Sequence, residues 1–596
     1  MGLFLLDYGA GNVQSLANTI KRLGHTFQWI KEPEDFARAT VSFFFYFHVE
    51  RLSPLIVFQS LIFPGVGAFE TAVKNLHQKG FFEPLKAYIL SGKPYFGICI
   101  GLQILCQSST EAPKSCLGLG LVPCSIEKFD NQDKSVPHMG WNSADLLDPR
   151  QGGLVDSSTY YYFVHSYSLK YAPDIHAESM SWAYSTTQYG KELFISTIRR
   201  GNIFATQFHP EKSGPSGLAL INEWLNKPML EPVHDPDASL VRRVPAPYHN
   251  LTKRIIACMD VRTNDDGDLV VTKGDQYDVR EKLGPQHLQR NNVGKITSKT
   301  AGAVRNLGKP VALAKRYFEA GADELCLLNI TSFRHSPLHD QPMLTVVAAA
   351  AETIFVPLTI GGGIKDTVDP DGTKRSALEV ASAYFRKGAD KVSIGSEAVY
   401  AVEKFLASGG KKDGTSAIET IAHAYGKQAV VVSIDPRRVY IEDVASYNGP
   451  YKEELVCGSP NSVHERERGK AWWYQCTVSG GRESRPISVV QLAKGVEALG
   501  AGEILVNSID RDGTGLGFDL DLIKLIKNAV KVPVVASSGA GSCEHFIDVF
   551  KGTDVEASLA AGIFHRAEVS IPDLKAEMKK AGINTRILGP RSYDDT

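Results

Sequence analysis

IACMD at 256–260 returns as VVSID at 431–435, 175 residues further along the chain. Both are apolar runs that end on an aspartate. GADEL (321–325) resembles GAGEI (500–504), and PLTIGGGI (357–364) resembles PVVASSGA (533–540) at an offset of 176. Three matches at a nearly constant offset mark a duplicated unit rather than a chance likeness of apolar, glycine-rich strings. The expected fold of this half is a (β/α)8 barrel made of two four-unit half-barrels.

Toward the N-terminus the pattern is also α/β. Apolar runs at Gly2–Leu6, Ser60–Phe63 and Tyr95–Cys99 alternate with helical spacing at Val13–Leu23 and Leu102–Gln107. That alternation predicts a mostly parallel sheet covered on both faces. Prolines 228, 232, 236, 245 and 247 break the pattern and mark a linker. The expected division is 1–227, a linker at 228–250, and the barrel at 251–596.

Composition limits the function. With 65 Lys and Arg against 66 Asp and Glu, the formal charge is −1. A dedicated nucleic-acid or anionic-membrane surface would carry a basic excess. The nine cysteines are scattered, none closer than seven positions to the next, so there is no CxxC. That usage reads as cytoplasmic thiols. MGLFLLDYGAGN reads as a first strand and its turn, not a signal peptide. Val41–Phe58 is Phe-rich, but His48, Glu50, Arg51 and Pro54 interrupt it, so it is not a membrane span.

YFGICIGLQ (95–103) carries the first chemistry. Gly97 and Gly101 flank Cys99, which permits a tight strand-to-helix turn with the thiol exposed above the sheet. The following helix start favours a thiolate. A thiol nucleophile needs a base and a group to orient that base. His209 and Glu211 in FHPEKS, two apart and on one face if extended, supply both. PGVGAF (64–69) places Gly65, Val66 and Gly67 where a backbone N–H can face an oxyanion, with the Ile100 amide as second donor.

In the barrel, Asp260 and Asp435 end the first and fifth strands, at equivalent places across the mouth. Paired carboxylates there can act as general acid and base. Glycine-rich strand ends recur: GGGI with Gly363, SIGS with Gly395 and Ser396, DRDGTG with Asp512, Gly513 and Thr514, ASSGAG with Ser537 and Gly539, and LAAGIF with Ala561 and Gly562. Backbone amides at such turns bind phosphate, and pairs in each half imply a substrate with two phosphates.

Residues 1–225 resemble the triad glutamine amidotransferases, through GICIGLQ and HPE. The resemblance implies that Cys99, His209 and Glu211 form the triad and that Gln103 holds glutamine. RIIACMDVR, VVTKGDQYDVRE, IGGGIKD, GADKVSIGSEAV, WWYQCTVSGGRESR and SIDRDGTG extend the likeness over nearly the whole chain. Together they resemble the imidazole glycerol phosphate synthases in their single-chain form, with glutaminase and cyclase fused. This implies glutamine and the ribotide PRFAR as substrates, and imidazole glycerol phosphate and AICAR as products. It also implies Asp260 and Asp435 as the cyclase acid/base pair, Lys273 near the substrate, no metal or redox cofactor, and no separate glutaminase subunit. Arg254, Glu324, Lys391 and Glu503 match a charged ring where ammonia enters the barrel; a stabilising ion cluster is the plainer reading of the same four.

Val41–Gln59 and Lys282–Thr300 have no parallel in that pattern and are expected to be lineage-specific loops or translated introns. Glu442–Lys470 reads as flexible cover of the barrel mouth. Two other functions fit parts of the sequence. A sugar-ribotide isomerase also carries aspartates on strands one and five, but it needs no ammonia. A chain made defective by its inserts would still keep every catalytic residue.

Overall fold

The computed structural model describes residues 2–9, 11–40, 59–65, 67–148, 153–175, 177–227, 243–247, 249–263, 269–272, 280–282, 301–304, 309–330, 342–369, 371–462 and 464–588. Val66, Lys273, residues 41–58 and 283–300 of the two inserts, and 228–242 of the linker lie outside the described residues.

In the first domain, β1 (Gly2–Leu6) lies between β2 (Gln28–Ile30) and β3 (Gln59–Phe63), with β4 (Tyr95–Ile98) beyond β3, all parallel. β5 (Asp145–Leu146), β6 (Ala183–Tyr189), β7 (Glu192–Arg200) and β8 (Ile203–Thr206) complete an eight-stranded sheet ordered β2-β1-β3-β4-β8-β7-β6-β5. β8 runs parallel to β4, and the last four strands are antiparallel to one another. The unbroken apolar run of β1 suits a strand covered on both sides. Leu3 and Leu5 pack with Ile62, Phe96 and Ile98, whereas Phe4 and Leu6 pack with Leu61, Phe63 and Tyr95.

The second domain closes as the repeat predicts. β9 (Arg254–Thr263), β10 (Glu324–Asn329), β11 (Leu358–Gly361), β12 (Lys391–Ile394), β13 (Val430–Ile434), β14 (Glu503–Asn507), β15 (Val534–Ser537) and β16 (Ala557–Ala560) pair in order, all parallel, and β16 pairs back to β9. Alternate residues fill two layers. Ile256, Cys258, Cys326, Val431, Leu505 and Val535 fill the interior, while Ile255, Ala257 and Met259 face the helices. Ser376, Ser416 and Ser488 each open a barrel helix through a reciprocal capping box with Glu379, Glu419 and Gln491.

Two expectations are corrected. The helix after Tyr95–Ile98 is only Ile100–Gln103, not Leu102–Gln107. The amides of Leu119, Leu121 and Gly120 occupy the carbonyls of Ile104, Leu105 and Cys106, and Cys106–Ser109 becomes a strand. Asp260 does not end its strand. β9 continues to Thr263 and folds back on Leu269–Thr272, so that Asp260 pairs with Thr272. Asp435 likewise joins β13 to a hairpin of Pro436–Ile441 with Ala471–Val478. The two aspartates are equivalent because each stands where a barrel strand leaves the barrel.

The glutaminase-like domain sits on the end of the barrel where its strands begin. Trp141 donates to the Asp323 carbonyl at 3.1 Å, and the Arg586 guanidinium lies 3.8 Å over the Trp141 ring. Lys212 pairs with Asp390 at 2.7 Å, and the Asn12 amide bonds both Asp390 (2.7 Å) and the Gly388 carbonyl (3.0 Å). Among the described residues no helix is long and apolar enough to cross a membrane.

Candidate active sites

Cys99 stands at φ 49°, ψ −100°, a conformation that an L residue holds only when its surroundings enforce it. They do so by close approach. A Cβ on Gly97 would lie 2.3 Å from the Gly101 carbonyl oxygen, and one on Gly65 would lie 1.7 Å from that of Ile98 and 2.8 Å from Cys99 Cβ. Gly65 is therefore pressed onto the nucleophile turn, and Gly67 stands at φ 126°. Cys99 N–H donates to the Thr206 carbonyl at 2.6 Å, anchoring the turn to β8. Ile100 opens the short helix, and the first amides of a helix lack partners within it.

His209 follows β8 in extended backbone and is buried. Its Nδ1 lies 2.8 Å from Glu211 Oε1. The two do not both face Cys99 from one extended strand, as the sequence spacing implied. Pro210, with its preset φ, starts a 3₁₀ turn through Lys212, and this carries the Glu211 carboxylate behind the imidazole instead. Burial disfavours the imidazolium, but the Glu211 carboxylate and the hydrogen-bonded Cys99 sulfur outweigh it and hold His209 well above its ordinary pKa. Gln103 is buried and donates to Gln207 Oε1 (3.1 Å), whose own amide lies 3.4 Å from Cys99 Sγ. Sequence reasoning missed Gln207. The signal was its place two residues before His209, on the same face of the chain.

At the other end of the barrel a cavity of ≈850 Å³ is lined by Asp260, Asp435, Asp512, Gly513, Thr514, Ser537, Gly539, Ala561 and Gly562. Among the described residues, Gly363, Gly395 and Ser396 stand outside the lining of this cavity. Ser396 Oγ instead accepts the Ser479 N–H at 2.9 Å, which ties the helix start to the hairpin. Burial raises the pKa of Asp435, while Asn507, donating to it at 2.9 Å, pulls the other way. Asn507 is a second residue the sequence did not flag; it is held by Ser433 at 2.9 Å. Among the described residues no group of His, Cys, Asp or Glu side chains could hold a metal ion.

The four ring residues meet at the glutaminase end of the barrel, all buried. Arg254 bonds Glu324 (2.8 Å) and Glu503, and Lys391 bonds Glu324 and Glu503, each at 2.6 Å. Burial would raise the Glu503 pKa, but Arg254 and Lys391 override it and bring it down to about 2. The Lys391 ammonium is 3.6 Å from Met139 Sδ of the first domain.

Two residues of the 442–470 stretch, His464 and Glu467, bond arginines at the barrel mouth. The Glu467 carboxylate accepts from Arg438 (2.7 Å) and from Arg511, and His464 Nε2 lies 3.0 Å from Arg511. Arg438 also pairs with Asp519 at 2.7 Å and stacks 4.3 Å over Trp472. Glu467→Gln is expected to cost about 1.5–3 kcal/mol, the range for hydrogen bonds to charged groups, read as a lower Tm of the full chain.

An α/β domain with a cysteine elbow backed by His–Glu, set on a duplicated barrel, defines a glutamine amidotransferase joined to a ribotide-type barrel enzyme. Residues 4–227 match the family described as glutamine amidotransferase class-I, and residues 254–570 the family described as histidine biosynthesis protein. The chain is 49% identical over 592 residues to Imidazole glycerol phosphate synthase hisHF of Emericella nidulans, covering 98% of this chain and 99% of the relative. It is 48% identical to the hisHF of Schizosaccharomyces pombe, covering 96% and 97%. It is also 48% identical to the chloroplastic hisHF of Arabidopsis thaliana, covering 98% and 89%. The chain belongs to the imidazole glycerol phosphate synthases of the fused kind, bifunctional enzymes of histidine biosynthesis that carry glutamine amidotransferase and cyclase activity in one polypeptide.

Proposed function

We propose that residues 1–227 hydrolyse glutamine and that residues 251–596, reached through the 228–250 connection, use the ammonia to convert PRFAR into imidazole glycerol phosphate and AICAR. Cys99 attacks the side-chain amide carbon of glutamine. His209 takes the thiol proton and returns it to the departing ammonia, and water then releases glutamate from the thioester. Glu211 orients His209. Ile100 N–H and the peptide at Val66 stabilise the oxyanion, and Gln103 holds the substrate. Ammonia passes the ring of Arg254, Glu324, Lys391 and Glu503 into the barrel axis. A void of ≈10 Å³ lined in part by Glu324, Thr359 and Glu503 supports this route, being of one-molecule size. Asp260 and Asp435 exchange protons during ring closure. Lys273 contacts the ribotide, whose two phosphates bind the loops at 512–514, 537–539 and 561–562 and those at Gly363, Gly395 and Ser396.

The observation that carries this reading is the His209–Glu211 pair beside Cys99 on one side of the charged ring and the Asp260/Asp435 cavity on the other. The near-zero net charge supports small-molecule substrates without nucleic-acid or membrane partners, and the cysteine spacing supports a cytoplasmic site. Because both activities share a chain, no separate glutaminase subunit is required. The test is the full chain with glutamine and PRFAR: AICAR release is expected, and its absence refutes the reading.

Glutamine hydrolysis is expected to be weak alone and to rise on ribotide binding. Gly65 and Gly67 let the peptide before Val66 turn, so one oxyanion donor can be absent at rest. One lost donor costs about 10²–10³ in rate. Glutamate release measured with and without a non-reacting ribotide analogue checks this. Equal rates would mean that the two sites are uncoupled.

A further inference from the structure

We infer that Gln207 holds the Cys99 sulfur as a fixed hydrogen-bond donor, locked in that orientation by Gln103, whose own amide is fixed by the Tyr167 carbonyl within a buried hydrogen-bond network. This deepens the glutaminase reading above and rests on Cys99 being its nucleophile.

The direction of every link follows from what each atom can do. The Tyr167 carbonyl only accepts, so the Gln103 end lying 3.1 Å from it is the amide nitrogen. The same nitrogen therefore donates to Gln207, 3.1 Å away, which must present its oxygen. The remaining end of Gln207, its NH₂, is then the end that lies 3.4 Å from Cys99 Sγ. A second branch, from Asn142 through His138 and His165, donates to the same Tyr167 carbonyl and holds it in place. His165 Nδ1 is 2.8 Å from the Tyr167 carbonyl and carries the proton. Burial drives the His165 pKa down to about 3, so the ring is neutral and its Nε2 can only accept. His138 Nδ1, 3.2 Å away, donates to it. His138 Nε2 is left to accept the Asn142 amide at 3.2 Å. The Asn142 oxygen is occupied by the Ser143 N–H at 2.9 Å, so this amide cannot turn round either.

Gln207, Gln103, His138, His165 and Asn142 are all buried. Reversing any link would leave two donors or two acceptors facing each other out of reach of water, which is costly. Gln207 thus points a fixed dipole, its N–H end first, at the sulfur without adding charge. His209, backed by Glu211, is the titratable group that contacts Cys99 directly, and the two donors together define the position of the sulfur.

The test is the pH profile of Cys99 alkylation by iodoacetamide, read by mass spectrometry of the tryptic peptide, on the full chain. Gln207→Glu keeps the acceptor facing Gln103 but turns a negative oxygen toward the sulfur. Its alkylation midpoint is expected to rise by about one pH unit, tenfold less thiolate at a fixed pH below the midpoint. Gln207→Met, of similar length with no donor, is expected to give a smaller rise in the same direction. Ammonium-driven cyclisation and Tm report folding in both. Midpoints equal to that of the unaltered chain in both variants, with folding intact, overturn the proposal. If Cys99→Ala retained glutamine hydrolysis, the nucleophile assignment would fail instead, whatever the alkylation profiles show.

Discussion

With alanine at position 99, glutamine-driven synthesis is expected to fall by about 10⁴-fold or more, while synthesis driven by added ammonium salt stays within about twofold of the unaltered chain. The first part follows from the lack of any other thiol beside the His209–Glu211 pair. Without the sulfur there is no thioester, and only oxyanion stabilisation and binding remain. The second part follows from the separation of the sites: Cys99 sits above β4 in the first domain, whereas the Asp260/Asp435 cavity opens at the far end of the barrel. Folding is spared because alanine keeps the Cβ that already occupies the strained φ of 49°. The variant also has a spectroscopic mark. Cys99 is one of the groups that raise the His209 pKa against burial, so its removal should lower the imidazole titration midpoint. AICAR release under the two nitrogen sources is the primary measurement. Full glutamine-dependent activity in the variant would remove Cys99 from its role.

The sequence revealed most where one residue type answers to one physical demand. The repeat of IACMD in VVSID exposed the barrel because period and offset survive in a linear string. Gly97 and Gly101 pointed to the elbow because a Cβ at either would strike backbone. The ring of Arg254, Glu324, Lys391 and Glu503 came from the family resemblance, and the structure brings all four into contact. Tertiary bonding was not legible. The helix expected over Leu102–Gln107 stops at Gln103 because the chain at 119–121 takes its carbonyls, and no local signal announces that. Asn507 and Glu467 gain their roles from partners 72 and 29 residues away, whereas Gln207, 108 residues from Cys99, carries one local mark, its place two before His209. Gly363, Gly395 and Ser396 share the phosphate-loop composition of the glycine-rich turns that line the cavity among the described residues.

Asp260→Asn and Asp435→Asn are each expected to reduce cyclisation by about 10²–10⁴-fold with glutamine and with ammonium salt alike, the usual weight of a positioned acid or base. Asparagine matches the shape of aspartate and cannot exchange a proton near neutral pH, so the substitution separates geometry from chemistry. At position 435 a stability argument sharpens the test. Burial raises the Asp435 pKa, the Asn507 hydrogen bond opposing it. A carboxyl with a raised folded-state pKa favours the fold below its unfolded pKa and loses that advantage as pH rises through the folded value. Once the pH has passed that value, the ionised, buried Asp435 is therefore a burden on stability. Asp435→Asn removes that burden, and the Asn507 amide can still donate to the new side-chain oxygen. The Tm of Asp435→Asn should thus stay level or rise while cyclisation is lost, a pairing that a purely structural role for Asp435 does not allow. Binding of a ribotide analogue should persist in both variants, since the glycine-rich turns at 512–514, 537–539 and 561–562 are untouched. Ammonium-driven rates equal to those of the unaltered chain in both variants would refute the paired-carboxylate mechanism while leaving the glutaminase assignment standing.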